Sequence, residues 1–253
     1  KSKPLSASMI LQLPKSSNKI YEEDIKQVYH GAKFVFDQNS CELSGGHTMI
    51  GKDENPIIGF SVVGKKYSKS KNIIKNGDRI FLTGKIGVGL IFAGVNSNVI
   101  SSQYLNDVMP QLEEGNLAIG KLFHKIKPLD ATDITGYGLC NHLLNLKNRN
   151  KNIIGITIQK NNINLFKGVN ICLKKNINSS FYEQNLSYSK NQISFIEDDI
   201  LNRIFFDPQT VGGIAFIVSK KCSTRVAGIL NKNNVVFNDI GFVDNTHNKL
   251  QVI

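Results

Sequence analysis

The sequence of 253 residues predicts an α+β protein with a two-domain architecture, in which mixed sheets pack against helices. Apolar runs of strand length alternate with segments whose apolar residues recur at helical spacing. A basic, polar stretch over residues 65–76 has neither pattern and is predicted to be a linker or a surface insertion. The expected domains are therefore residues 1–76 and residues 77–253. A hydrophobic share of 41% with 20% charged residues is typical of a globular chain and argues against disorder.

The first domain is predicted to contain a strand, a helix and a second strand. Residues 5–13 form an apolar run of strand length that stops at Pro14. Residues 22–39 carry acidic residues in the first turn and then an apolar stripe at helical spacing, so this helix is expected to cover a sheet. Residues 57–63 are mostly apolar and are predicted to form a buried strand.

The second domain is predicted to begin with a strand over residues 78–82, a glycine-rich turn and a helix. The glycine-rich residues 84–89 lack the Gly-Lys-Ser/Thr ending of a P-loop and are expected to be structural. Residues 174–199 have no assignable pattern. The further elements predicted are helices over residues 113–123, 139–146 and 223–230 and strands over residues 153–158, 214–218 and 235–242.

The net charge of +11 suggests an anionic partner such as nucleic acid. Only four of the 31 basic residues are Arg, although Arg is preferred for bidentate contacts with phosphate and guanine. Asn is abundant beside the lysines, as an AT-rich coding sequence would produce. Nucleic-acid binding rests on the net charge alone and is therefore the least favoured function for this chain.

The four cysteines lie far apart and form no Cys-x-x-Cys pair, which disfavours a zinc knuckle or a disulfide framework. An intracellular, reducing location, namely the cytoplasm, is expected. No apolar run approaches the ~20 residues that span a bilayer, so no membrane association is predicted.

The first candidate site is Gly45-Gly46-His47-Thr48. Paired glycines allow the backbone to approach a ligand and to offer N–H groups to phosphate oxygens, and His47 and Thr48 add side-chain donors. The alternative is a tight turn that needs positive φ, and the letters alone favour that turn.

The second candidate site follows the strand that begins at residue 130, where the chain reads Asp-Ala-Thr-Asp-Ile-Thr-Gly-Tyr-Gly-Leu. Asp133 at a strand end, followed by Thr135, Gly136 and a helix, suits a magnesium ligand beside a phosphate-binding helix N-terminus. Helix capping by Asp133 or Thr135 explains the same letters about as well. His142 on the helix is predicted to be a packing residue.

The third candidate site reads Asp-Pro-Gln-Thr-Val-Gly-Gly from residue 207, directly before an apolar strand. Its polar groups and glycine pair suit an anion or a closely approaching nucleotide. A turn between a helix and a strand is the alternative. The candidate residues are Asp207, Gln209, Thr210, Gly212 and Gly213.

The three motifs in this order resemble the selenide, water dikinase (selenophosphate synthetase) family, which lies in the AIR-synthase-like superfamily. The resemblance covers nearly the whole chain. The superfamily's thiamine-monophosphate kinases, hydrogenase maturation factors and purine enzymes carry a different middle motif. The Thr-Gly-aromatic-Gly-Leu form together with Asp-Pro-Gln-Thr favours the selenophosphate branch.

The resemblance implies an AIR-synthase-like fold and ATP-dependent synthesis of selenophosphate from selenide and water, with release of AMP and orthophosphate. It implies Asp133 as a ligand of Mg²⁺, and Gly45, Gly46, His47 and Thr48 against ATP at a site shared across a homodimer. It leaves the third motif either near the ligand or shaping the domain. The residues taken as possible neighbours of the ligand are Thr132, Thr135, Gly136, Asp207, Gln209, Thr210, Gly212 and Gly213.

The sequence departs from the family pattern at two motif positions. Asn141 stands where the family usually has Gly, and Val211 where Ser is usual. The family's catalytic Cys or selenocysteine, a Lys and further metal-binding aspartates are expected upstream of Lys1, so the N-terminal domain is expected to be truncated. Cys41 precedes the glycine pair and is not expected to replace the catalytic residue.

Two other readings remain open. One is another ATP-dependent kinase or ligase of the same superfamily. The other is a non-catalytic fragment or paralogue that binds a nucleotide or a partner without turnover. By the resemblance, the chain alone is expected to show little or no turnover.

Overall fold

The computed structural model describes residues 2–52, 55–66 and 73–253. The chain divides into two compact units, residues 1–71 and residues 72–253. The boundary expected from the sequence lies five residues further along the chain. Half of the expected linker, residues 67–72, lies outside the described residues.

Unit 1, residues 1–71, contains a three-stranded sheet and one helix. In the sheet β1 is central, parallel to β2 and antiparallel to β3. A bulge opposite the step from Ala7 to Ser8 leaves Ser44 outside the strand register, although its hydroxyl donates to the carbonyl of Ala7 at 3.2 Å. The elements are β1 (Ser2–Pro14), α1 (Asn18–Gln38), β2 (Glu42–Gly51) and β3 (Ile57–Lys66).

Helix α1 covers one face of this sheet, as the sequence predicts. Met9, Leu11 and Leu13 alternate along β1 and are buried against the apolar stripe of the helix, which includes Ile25 and Val28. The helix begins a turn earlier than predicted, so the acidic residues do not occupy its first turn.

The opposite face of the sheet, here called the open face, carries exposed apolar side chains among polar ones such as His47 and Ser61. It carries Ile10 on β1, Met49 on β2, and Ile57 and Val63 on β3, which pair with the same face of β1. Val63 is 67% exposed. The prediction of a buried strand over residues 57–63 is therefore half right, because the strand exists but lies at an edge of the sheet.

Unit 2, residues 72–253, is built on a seven-stranded sheet in the order β5-β8-β4-β9-β6-β10-β7. The strands are β4 (Arg79–Thr83), β5 (Asp130–Asp133), β6 (Gly155–Ile158), β7 (Ile193–Phe195), β8 (Ile214–Val218), β9 (Phe237–Asp244) and β10 (Leu250–Val252). The helices are α2 (Val88–Asn96), α3 (Leu105–Glu114), α4 (Leu117–Ile126), α5 (Gly138–Arg149), α6 (Val169–Lys174), α7 (Tyr182–Ser189) and α8 (Ser223–Lys232).

The centre of this sheet is buried on both faces. Ile80 and Leu82 of β4 face the larger apolar cluster, whereas Phe81 faces a second cluster and stacks on Phe216 of β8 at 5.7 Å between ring centroids. A strand buried on both faces reads as a continuous apolar run, which is why these strands were predictable. In the part of the chain described here, no helix has the length and apolar character needed to cross a membrane.

Two sequence predictions for unit 2 need correction or completion. The single helix expected over residues 113–123 is two helices, α3 and α4, because Gly115 adopts a φ of 60° and ends the first of them. Residues 174–199, which had no predicted structure, contain α7 and β7.

An ion pair ties the start of β5 to the end of α5. The guanidinium of Arg149 donates to both carboxylate oxygens of Asp130, at 2.9 and 2.8 Å, and the amide of Asn150 donates at 2.6 Å. Burial by itself raises the pKa of Asp130, but these hydrogen bonds outweigh it and hold the pKa below its usual value. The pair therefore fixes the helix against the strand on either side of the Asp133 motif.

Replacing Asp130 by Asn is expected to lower the free energy of unfolding at pH 7 by about 1–2 kcal/mol. Because the pKa of Asp130 is lower in the folded state, the ionised carboxylate stabilises the fold at pH values above the ordinary pKa of 3.8. This stabilisation is lost as the pH falls through the lower pKa of the folded state. The deficit, measured by urea unfolding, should stay constant from about pH 7 to 5 and shrink below about pH 4. The exposed Asp198→Asn variant is the control, and a deficit unchanged at low pH would contradict the assignment.

Candidate functional site

The second and third sequence motifs meet at the end of the unit 2 sheet. The backbone amide of Gln209 donates to the carbonyl of Thr135 at 3.1 Å. Two further hydrogen bonds join Ile134 to the glycine pair. The amide of Ile134 donates to the carbonyl of Gly213 at 3.0 Å, and the carbonyl of Ile134 accepts from the amide of Gly212 at 2.9 Å. Two segments separated by some 70 residues thus form one structure, here called the motif junction.

Asp133 is exposed at the last position of β5, an edge strand of the sheet. No group among the described residues donates a hydrogen bond to its carboxylate. A free carboxylate suits a hard cation, although residues 2–52, 55–66 and 73–253 hold no group of three or more acidic, His or Cys side chains that would form a complete site. Asp133 therefore fits an ion that takes its remaining ligands from water and from phosphate oxygens, as Mg²⁺ commonly does.

The N-terminus of α5 follows Asp133 after a turn of four residues and is open. Its first residue, Gly138, donates to the carbonyl of Thr135 at 3.0 Å, and the preceding Tyr137 provides no side-chain cap. Within the described part of the chain, the backbone amides of Gly136 and Tyr137 have no acceptor. These amides and the positive end of the helix dipole favour an anion at this point.

His142 holds the turn before α5 in place. Its Nε2 accepts from the backbone amide of Thr135 at 3.1 Å and lies 3.0 Å from the Thr135 hydroxyl. Because an amide can only donate, Nε2 carries no proton, and burial lowers the pKa of this imidazole while the charge of Asp133 opposes the shift. The sequence predicted only a packing role for His142, since seven positions separate it from its partner.

The N-terminus of α2, by contrast, is closed by the third motif. Oε1 of Gln209 accepts from the amides of Gly87 and Val88 at 2.9 and 3.1 Å, and the carbonyl of Pro208 accepts from Gly89 at 3.2 Å. A side chain at Gly89 would collide with this segment, because a Cβ would lie 2.6 Å from both Asp207 Oδ1 and the Pro208 carbonyl. The side chain of Gln209 is thus a helix cap within the protein.

Asp207 is a buried carboxylate at the centre of this cap. It accepts from the Ser179 hydroxyl at 2.7 Å and from Nε2 of Gln209 at 2.8 Å. Burial raises its pKa to about 6, although the hydrogen bonds from Ser179, Leu90, Gln209 and Gly89 act in the opposite direction.

The other candidate residues of unit 2 lie around the junction. The half-buried Thr132 donates to the carbonyl of Asp133 at 3.3 Å. Thr210 is exposed and lines a cleft of about 370 Å³ together with Gly136. Gly213 has a φ of 76°, and a Cβ there would lie 1.9 Å from the Thr83 carbonyl, so backbone packing requires this glycine.

The first motif lies in unit 1, within strand β2, and the turn favoured by its letters is wrong. Neither glycine has a positive φ, and Gly46 is needed because a Cβ would lie 2.1 Å from the Met9 carbonyl. His47 and Thr48 are both exposed, but strand geometry points them to opposite faces of the sheet. The two side chains therefore lie on opposite sides of the edge strand β2 and do not form one cluster of donors.

Solved structures of other proteins share the fold. A thiamine-monophosphate kinase from Stenotrophomonas maltophilia matches with a TM-score of 0.64 and 16% identity, covering 99% of this chain and 72% of that one. The hydrogenase maturation protein HypE, solved in complex with ATP, matches with a TM-score of 0.64 and 13% identity, covering 96% and 66%. The chain therefore has the AIR-synthase-like α+β fold that the sequence predicts.

Curated proteins with similar sequences carry the name selenide, water dikinase. The chain is 26% identical over 214 residues to "Selenide, water dikinase" of Campylobacter jejuni (strain RM1221), covering 83% of this chain and 61% of that protein. It is 27% identical over 237 residues to the protein of the same name from Caldanaerobacter subterraneus subsp. tengcongensis, covering 90% and 65%. No protein-family model matches the chain. The predicted resemblance to the selenide, water dikinases is confirmed, and the chain spans under two thirds of the length of these two relatives.

The Asp207→Asn variant is expected to change how stability depends on pH. A carboxyl pKa raised from 3.8 to about 6 means that the folded state binds the proton more tightly, so this contribution to stability is present at low pH and lost as the pH rises through about 6. The free energy of unfolding of the wild type relative to the variant should fall by on the order of 1–3 kcal/mol between pH 4 and pH 7.

Urea unfolding at several pH values measures this difference, with Asp198→Asn as the exposed control. A difference between wild type and Asp207→Asn that does not change across this pH range would contradict the prediction.

Proposed function

We propose that this chain is part of an ATP-dependent phosphotransferase that makes selenophosphate from selenide and water, releasing AMP and orthophosphate. The observation that carries the proposal is the open N-terminus of α5, which follows the free carboxylate of Asp133 after a turn of four residues. The similarity to proteins named selenide, water dikinase supports the choice of selenide as the acceptor.

The proposed role of the motif junction is to bind the phosphates of the nucleotide. A polyphosphate chain needs both cations and N–H donors to offset its charge. Asp133 would hold a Mg²⁺ ion, which would neutralise phosphate charge when bound. The amides of Gly136 and Tyr137 would donate to phosphate oxygens, and His142 would keep their turn in position through Thr135.

The first motif has a proposed role in the same reaction. Gly45, Gly46, His47 and Thr48 would lie against ATP, with His47 and Thr48 on the two sides of the β2 edge. Gln209 is the candidate residue least able to bind the ligand directly, because the oxygen and the nitrogen of its side-chain amide are both hydrogen-bonded within the protein. Thr210 is exposed and remains a proposed neighbour of the ligand.

The test of the reaction is ATP consumption by the protein expressed with whatever residues its gene encodes upstream of Lys1. We expect ATP consumption that depends on selenide and yields AMP. Consumption that does not respond to selenide would contradict the proposal and favour another ATP-dependent enzyme of the superfamily. Binding of ATP without consumption would favour a non-catalytic nucleotide-binding protein.

Within that assay, Asp133→Asn is expected to lower the selenide-dependent rate at least about tenfold, because the neutral amide lacks the negative charge with which a carboxylate holds a hard cation. Asp198→Asn is the matched control, since it makes the same change at another exposed aspartate. Equal rates for both variants would contradict the proposed role of Asp133, provided that both unfold like the wild type.

We further propose that two copies of the chain pair through the open face of the unit 1 sheet. The support is the exposure of Ile10, Ile57 and Val63 on one face, at 56%, 54% and 67%. Exposed apolar side chains that are grouped on one face, unlike single ones, mark interaction sites in proteins.

Val63→Asp is expected to convert a dimer into a monomer, because it would place a charge within the buried apolar contact. Phe34→Asp on α1 is the matched control, since Phe34 and Val63 are each 67% exposed. Sedimentation velocity measures the mass of both variants and of the wild type. A wild type that is monomeric at micromolar concentration, or a Val63→Asp variant that remains dimeric, would contradict the proposal.

A further inference from the structure

Helices α4 and α8 of unit 2 pack side by side in opposite directions. Apolar side chains of both helices, such as Leu122 and Val226, are buried in one cluster. The start of α4 and the residues just after α8 line the same cleft of about 360 Å³. At the other end of the pair, Arg225 in the first turn of α8 donates to the carbonyls of Lys125 and Ile126 at 3.1 and 3.4 Å. The two helices are therefore fixed against each other.

The outer surface of this helix pair, here called the basic face, carries cations and no anions. Residues 115–129 and 208–238 contain seven Lys and Arg residues and no Asp or Glu, which is a formal +7 out of the +11 of the whole chain. All seven are exposed, and none forms an ion pair within the described parts of the chain. They are Lys121, Lys125 and Lys127 at α4, and Lys220, Lys221, Arg225 and Lys232 at α8.

Helix stability explains only some of these cations. Lys125 and Lys232 lie in the last turns of their helices, where the helix dipole favours positive charge. Lys220 and Lys221 lie just before α8, where the dipole disfavours positive charge, and no acidic residue occupies the first turn of that helix. The buried Asp78 accepts the backbone amide of Lys220 at 3.1 Å, not its side chain. Uncompensated like charges destabilise a fold, so an anionic partner is the better explanation for this end of the face.

The shape and the side chains of the basic face restrict the class of partner. Neither helix exposes a large apolar side chain, so the face has nothing to insert into a bilayer. For the same reason it has no exposed aromatic ring on which the bases of a single strand could stack. Gly120 and Gly228 keep the face low, because a Cβ at either position would meet nothing within 4 Å. A low, basic face without aromatic rings fits the backbone of a nucleic-acid duplex.

We propose that the basic face binds the phosphate backbone of double-stranded RNA without sequence preference. Lysines supply the point charges that such contacts need, and the guanidinium of Arg225 is already bonded within the protein and does not read bases. The exposed Asn231 and Asn234 lie beside Lys232. A side-chain amide both donates and accepts, as does the ribose 2′-hydroxyl that DNA lacks, so these amides favour RNA over DNA.

This partner goes beyond what the sequence favours, because the net charge alone does not show where the cations lie. The structure adds that over half of the net charge belongs to one surface formed by two segments that are about 100 residues apart. The inference does not rest on the proposed reaction.

The test is fluorescence anisotropy of an RNA duplex of about 20 base pairs, titrated with the full chain at several KCl concentrations in EDTA. We expect binding at about 50 mM KCl, with an association constant that falls steeply as salt rises. The triple variant Lys121→Gln, Lys125→Gln, Lys221→Gln should reduce the slope of log K against log[KCl] by about 2–3, because each lost phosphate contact releases about one counterion fewer.

The matched control is the triple variant Lys15→Gln, Lys19→Gln, Lys26→Gln. It removes the same charge from exposed positions of unit 1 and should bind the duplex like the wild type. An equal loss of binding in both triple variants would show that only the net charge matters and would overturn the proposal. No binding of the duplex by the wild type at about 50 mM KCl would also overturn it.

Other anions distinguish double-stranded RNA from the remaining partners. A DNA duplex of the same sequence that binds as tightly, or single-stranded RNA that binds more tightly, would overturn the choice of double-stranded RNA. Equal displacement of the RNA by poly-glutamate at the same charge concentration would indicate an acidic protein, and displacement by phosphatidylserine vesicles would indicate a membrane surface; each would overturn the proposal. Because the assay contains neither ATP nor selenide, its failure and the failure of the proposed reaction are separate results.

Discussion

The three backbone hydrogen bonds of the motif junction are the constraint on which the unit 2 site depends. They join residues 134–135 to residues 209–213, and they continue the pairing of β5 with β8 beyond the end of the strands. Backbone bonds of this kind fix position without using side chains. Asp133, the turn before α5 and the cap of α2 therefore have fixed positions relative to one another, while the Asp133 carboxylate stays free.

The N-termini of helices α2 and α5 both lie at this junction, but only that of α2 is capped by a side chain. That of α2 is closed by the side chain of Gln209, itself oriented by the buried Asp207. That of α5 has no side-chain cap, and its turn is held through the imidazole of His142. A closed terminus contributes to stability and an open one is available to a ligand, which is why we propose ligand binding for the second motif and a supporting role for much of the third.

The turn before α5 is also tied to helix α7, which is distant in sequence. The side-chain amide of Asn141 donates to the carbonyls of Tyr137 and Asn185, and that of Asn185 donates to the carbonyl of Gly136. These bonds hold the turn in addition to those of His142, so its position depends on two separate segments.

The sequence by itself determined most of the elements and the identity of the motifs. Strands such as β4 and β8 are buried on both faces and helix α1 has one apolar stripe, so their periodicity is local and readable. The sequence could not determine which helix N-terminus is open, that His142 bonds to Thr135, or that Gly45 and Gly46 lie in a strand, since each depends on a partner distant in the chain. The tertiary structure decided these points because hydrogen-bond donors and acceptors are assigned only when the strands pair and the helices pack.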